Sequence, residues 1–69
     1  MKLLSFEILE MLIRCAKNND IRLSRRLVIH ALDRFDHDFI IDVFINALKP
    51  NKELHDEVLA FYNNLITMP

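Results

Sequence analysis

Apolar residues recur along this chain at the spacing of amphipathic helices, and in one stretch they almost run together. Between Phe39 and Leu48 eight of ten residues are apolar, interrupted only by Asp42 and Asn46. The pattern predicts four helices. The first spans about Phe6 to Lys17, with Ser5 as N-cap and Glu7 in the favourable first turn. Leu9, Leu12, Ile13 and Ala16 form one apolar stripe on it, and Leu4, Ile8, Met11 and Cys15 a second. Its polar row is narrow: Glu7, Glu10, Arg14 and Lys17, with Glu10 and Arg14 at ion-pair spacing. A surface helix normally carries one apolar stripe, so this one should be covered from two sides.

Asn18-Asn19-Asp20 reads as a turn, because Asn and Asp tolerate left-handed backbone where glycine is absent. Ile21 to Ser24 alternates apolar and polar. It fits a short extended piece, a first helical turn capped by Asp20, or a helix capped by Ser24 itself. The second helix then reaches about Phe35 and buries Leu27, Val28, Ala31, Leu32 and Phe35. Asp36 or Asp38 caps the third, which ends at Lys49 because Pro50 disfavours helical backbone in the residue before it. Asn51 caps the fourth, whose stripe is Leu54, Val58, Phe61 and Leu65, with Leu59, Tyr62 and Ile66 beside it. The expected fold is all-α: a single compact domain, residues 1–69, of three to four short helices. The third helix lies at its centre, flanked by the first and fourth.

Length sharpens this picture. A chain of 69 residues buries only about 60% of the surface its unfolded form exposes. The third helix and the first therefore look too apolar for one small chain, and a homodimer is the simplest remedy. The anchors expected at a dimer or partner interface are Leu12, Phe39, Phe44, Leu48, Phe61, Tyr62 and Leu65. Cys15 is the only cysteine, so no disulfide forms within the chain; it reads as a small buried hydrophobe, in keeping with a reducing cytosol. Met1-Lys2-Leu3-Leu4 opens like a signal peptide, but Glu7 and Glu10 interrupt it. No apolar run reaches the 18 or so residues of a spanning helix, and the reading is a soluble, cytoplasmic protein without a membrane partner.

Composition also removes function classes. The chain has no glycine, which excludes Gly-rich phosphate loops and dinucleotide fingerprints. The net charge of −1 gives no general attraction to nucleic acid. Its distribution is uneven, a net +3 over residues 1–34 (seven Lys/Arg, four Asp/Glu) against −4 over residues 35–69 (two and six). Such a split aligns two copies head to tail, offers an acidic face to a basic partner, or merely reflects solvated faces. His30 and Asp33 share a helical face as metal ligands would, with His37, His55 and several aspartates elsewhere. Without HExxH or a cysteine pair, no metal or cofactor is expected. Ser24, His30 and Asp33 make a poor hydrolase grouping, since six helical residues turn Ser24 away from His30. No catalytic residue and no small-molecule substrate are expected. Arg22, Arg25 and Arg26 form the one basic cluster. If residues 21–24 were a strand, they would resemble a ribbon–helix–helix repressor, with Arg22 and Ser24 directed at the major groove. The short second connection and the acidic second half speak against it.

The stretch from Leu23 to Leu48 resembles the small bacterial biofilm-development regulators, also called two-component connector proteins. Leu23-Ser24-Arg25 matches their helix start, Ile29-His30-Ala31-Leu32-Asp33 their apolar second helix, and Asp42-Val43 the helix after an acidic break. The match covers about residues 8–48 and leaves the fourth helix outside. It implies a dimeric, non-enzymatic helical protein that modulates signalling proteins by binding them. Size and pattern are also similar to small phage-encoded anti-activators, which silence a host regulator. The functional expectation is a regulatory protein that occludes a transcription regulator or signalling protein through an apolar helical surface, with Arg22, Arg25 and Arg26 as a charged rim. A dimeric DNA-binding repressor is the alternative.

Overall fold

The computed structural model describes residues 3–67 and consists of four helical segments. They are α1 (Ser5–Asn18), α2 (Ile21–Leu32), α3 (residues 37–48) and α4 (Lys52–Thr67). No strand occurs among the described residues, so Ile21 to Ser24 form the first turn of α2. The ribbon that a ribbon–helix–helix repressor needs is therefore missing from this region.

Polar side chains set most of the boundaries. Asn19 takes left-handed backbone (φ 54°, ψ 42°) at the end of α1, and Asp20 accepts the Leu23 N–H at 3.1 Å to start α2. Asp36 accepts the Phe39 N–H at 2.9 Å, and Asn51 accepts that of Leu54 at 3.2 Å. Two expected boundaries shift. The cap of α1 is Leu4 rather than Ser5, because Glu7 reaches back and accepts the Leu4 N–H at 2.8 Å, which satisfies a helix start that lacks a capping oxygen. The second helix stops at Leu32 rather than Phe35. There the Arg34 and Phe35 N–H groups both donate to the Ala31 carbonyl, at 3.0 and 2.9 Å, and close the helix end.

The third helix explains the nearly continuous apolar run. One α-helical turn, His37–Phe39, opens into a π-helix, Ile40–Ile45, and tightens to a 3₁₀ turn, Asn46–Leu48. In an α-helix residues five apart diverge by about 140°. Where bonds run i→i+5, as from the Asn46 N–H to the Ile41 carbonyl, the turn is wider and residues five apart come closer to one face. Ile40 and Ile45 thus join Phe44 and Leu48 inside. Phe44 receives Phe35 and Phe39 edge to face, at centroid distances of 5.2 Å each. As expected, α3 is central: it packs against α1, α2 and α4.

The single chain closes over this core. Its Cα radius of gyration, 10.9 Å, matches the roughly 11 Å of one compact domain of this length. The expectation that α3 needs a second chain to cover it is therefore corrected. The exposed large apolar residues lie elsewhere: Leu4, Phe6 and Ile13 on and just before α1, Ile29 on α2 and Ile66 on α4.

Candidate interaction surface

The expected interface residues divide into two groups. Leu12, Phe44, Leu48 and Tyr62 are completely buried in the chain's own core. They cannot meet a partner without unfolding, and their assignment to an interface is corrected. Phe39, Phe61 and Leu65 are half-buried. Phe39 stacks on Phe35 at 5.3 Å, and Phe61 lies beneath the Arg25 guanidinium at 5.1 Å.

What remains outward on α1 is a face led by Phe6, 57% exposed, and Ile13, 41% exposed. Leu9 and Ala16 flank them, half-buried. The inward stripe is Ile8, Leu12 and Cys15. The two expected stripes do not divide as whole sides: Leu12 of the first is buried, and Leu4 of the second is 55% exposed. The expected Glu10–Arg14 ion pair is not formed. Among the described residues the ion pairs are Lys52–Asp56 and His55–Asp56, which leaves Glu10 and Lys17 without a charged partner there.

The outward face of α2 is basic. Arg22, Arg25 and Arg26 are exposed around Ile29, itself 47% exposed. They precede Ile29 by seven, four and three residues, the spacing of one helical face. Among the described residues none of the three has a carboxylate within ion-pair distance. Sequence reading found these arginines but missed Ile29 and Phe6 as exposed anchors. The spacing was visible, but which stripe the core claims is decided only by packing.

The groups considered for chemistry are held apart by structural roles. Ser24 is buried and its hydroxyl donates to the Asp20 carbonyl at 2.8 Å, so it does not join His30 and Asp33. The His30 Nε2 is buried with no hydrogen-bond partner. His37 Nδ1 lies 3.0 Å from the Tyr62 hydroxyl, its ring stacked on the tyrosine at 5.5 Å. Burial, and then Asp36 and Asp38, raise the Tyr62 hydroxyl above its ordinary pKa. His55 bonds Asp56 at 3.0 Å; that bond, and then Lys52, lower the Asp56 carboxyl. Burial pushes the Cys15 thiol up, the opposite of an activated nucleophile. An open cleft beside Cys15 is lined by Met11, Arg14, Asn18, Asp20 and Leu23. No helix among the described residues is long and apolar enough to cross a membrane.

The class that this fold defines is an all-α helical bundle with two outward helix faces, one apolar and one basic. Set against known proteins, the chain matches no family model, no curated protein and no solved structure.

Proposed function

We propose that the protein is a non-enzymatic regulatory binding protein that occludes an acidic surface of a transcription regulator or signalling protein. The observation that carries this reading is the basic face of α2: three arginines beside the exposed Ile29, without carboxylate partners among the described residues. Arg22, in the first turn of α2, opposes the helix macrodipole. An ion pair with Asp33 or Asp36 would offset that cost, and neither is made. The stacking of Arg25 on Phe61 holds one guanidinium in place before any partner arrives, which reduces the ordering cost of binding. Arginine beside an apolar residue suits an interface, where arginine is enriched among the residues that carry binding energy.

Nucleic acid is the competing occupant of the same face. Only the arginines favour it, since Ser24 is buried and the region has no strand. The test replaces Arg22, Arg25 and Arg26 together with alanine. The variant should keep its circular dichroism and its melt, and should lose capture of its protein partner by at least about tenfold, mostly through slower association. Unchanged capture would remove the arginine face from the account. Tight, sequence-selective duplex binding by the wild type, steep in salt and lost in the variant, would favour the repressor.

A further inference from the structure

Four side chains of α3 lie fully inside: Ile40, Phe44, Ile45 and Leu48. Their spacing is i, i+4, i+5, i+8. The inward face of an α-helix is spaced i, i+3, i+4, i+7. The buried set is thus that of an α-helix with one residue added between Ile40 and Phe44, and the π-helical winding of Ile40–Ile45 takes up that residue. We infer that the surplus residue can change its place along α3, which makes this helix a conformational device with two registers.

Both ends of α3 are pinned. Asp36 accepts the Phe39 N–H at 2.9 Å. At the other end Pro50 has no N–H to give the Asn46 carbonyl, which takes that of Lys49 at 3.1 Å instead, and Asn51 donates its N–H to the Leu48 carbonyl at 2.9 Å. A surplus held between fixed ends can only move along the helix, and the sequence offers it a second place. With the wide turn before Phe44, Ile45 is inside and Val43 is half-buried. With the wide turn after Ile45, residues 43–45 rotate by roughly 100°, the angle of one helical residue. Ile40, Val43 and Phe44 then have the spacing i, i+3, i+4, and Ile45 turns outward. Phe44 and Leu48 stay inside in both registers. The exchange swaps Ile45 for Val43, two β-branched side chains that differ by one methylene, so either register fills the core with nearly the same volume. A partner that binds one register better would draw the population toward it.

The device lies within α3 and uses none of the α2 arginines, so it stands apart from the docking proposal and fails separately. The test is amide relaxation dispersion across the folded chain, together with thermal melts. The wild type should show exchange on the microsecond-to-millisecond scale of helix register shifts, confined to about residues 41–47. Asp42 is exposed and has no ion pair among the described residues. Its deletion leaves Ile40, Phe44, Ile45 and Leu48 at α-helical spacing. The shortened chain should fold, melt no lower than the wild type and lose the exchange. Val43→Thr puts a hydroxyl into the core of the second register alone and should lower its population at least about twofold. Ile45→Val removes a methylene from the core of the first and should raise the population of the second by a similar factor. A wild type without exchange in α3 overturns the inference, as does exchange that survives the deletion. A deleted chain that unfolds or melts lower overturns it as well, since it would show that no residue is surplus. So does a movement of the population in the same direction by Val43→Thr and Ile45→Val, or no movement by either.

Discussion

Phe44 and Tyr62 are the two fully buried aromatic rings of the core. Phe44 meets Phe35 and Phe39 at their edges. A carboxylate there would be buried without a partner, which costs several kcal/mol, comparable with the whole stability of a domain this small. Phe44→Asp should therefore abolish the helical circular dichroism signal, whereas a folded variant would place Phe44 at the surface. Two buried ionisable residues set the alkaline limit. Burial raises Cys15 above its ordinary 9.0 and Tyr62 above its ordinary 10.0. The folded chain thus keeps protons that the unfolded chain releases. Their contribution is complete below those ordinary values and is lost as pH rises through the higher folded ones. Thermal melts should weaken above about pH 9–10, and Tyr62→Phe should flatten part of that decline. The replacement also removes the bond to His37, which lowers stability at neutral pH too, so the shape of the pH profile is what reports the ionisation.

At the scale of elements, the stops and starts were largely legible. Asn19, Asp20, Asp36 and Asn51 act as the turn and cap residues that their chemistry suggests. Ser5 was misread because a hydroxyl before an apolar run is a good cap, yet Glu7 supplies the reciprocal bond one residue earlier. The π-helical stretch of α3 was not legible. Its composition shows only a surplus of apolar residues, and a wider winding that buries them within one chain competes with burial by a second chain. Asn51 is the cap that does most, because its amide also donates to the Ala16 carbonyl at 3.2 Å and to Asn19 Oδ1 at 2.9 Å. It joins the end of α1 to the start of α4. Asn51→Ala should cost about 1–2 kcal/mol, read as a lower urea midpoint. An unchanged midpoint would mean that these bonds form equally well with water.

For the whole molecule, periodicity predicted an all-α bundle with α3 at its centre, and the structure has that arrangement. The surfaces were harder, because a stripe looks the same in sequence whether it turns inward or outward. Leu12, Leu48 and Tyr62 went inward, while Phe6, Ile13 and Ile29 stayed out. The arginines were recognisable as a cluster, but their lack of ion pairs among the described residues is a fact of three dimensions. That lack supports the central claim, that the outward face of α2 docks on an acidic protein. The most direct measurement puts a photo-crosslinking residue in place of Ile29 and irradiates the native host's cells. The account predicts a covalent adduct with a regulatory protein through an acidic segment, lost when Arg22, Arg25 and Arg26 are alanine. An adduct with nucleic acid, or a protein adduct formed equally well without the arginines, would contradict it.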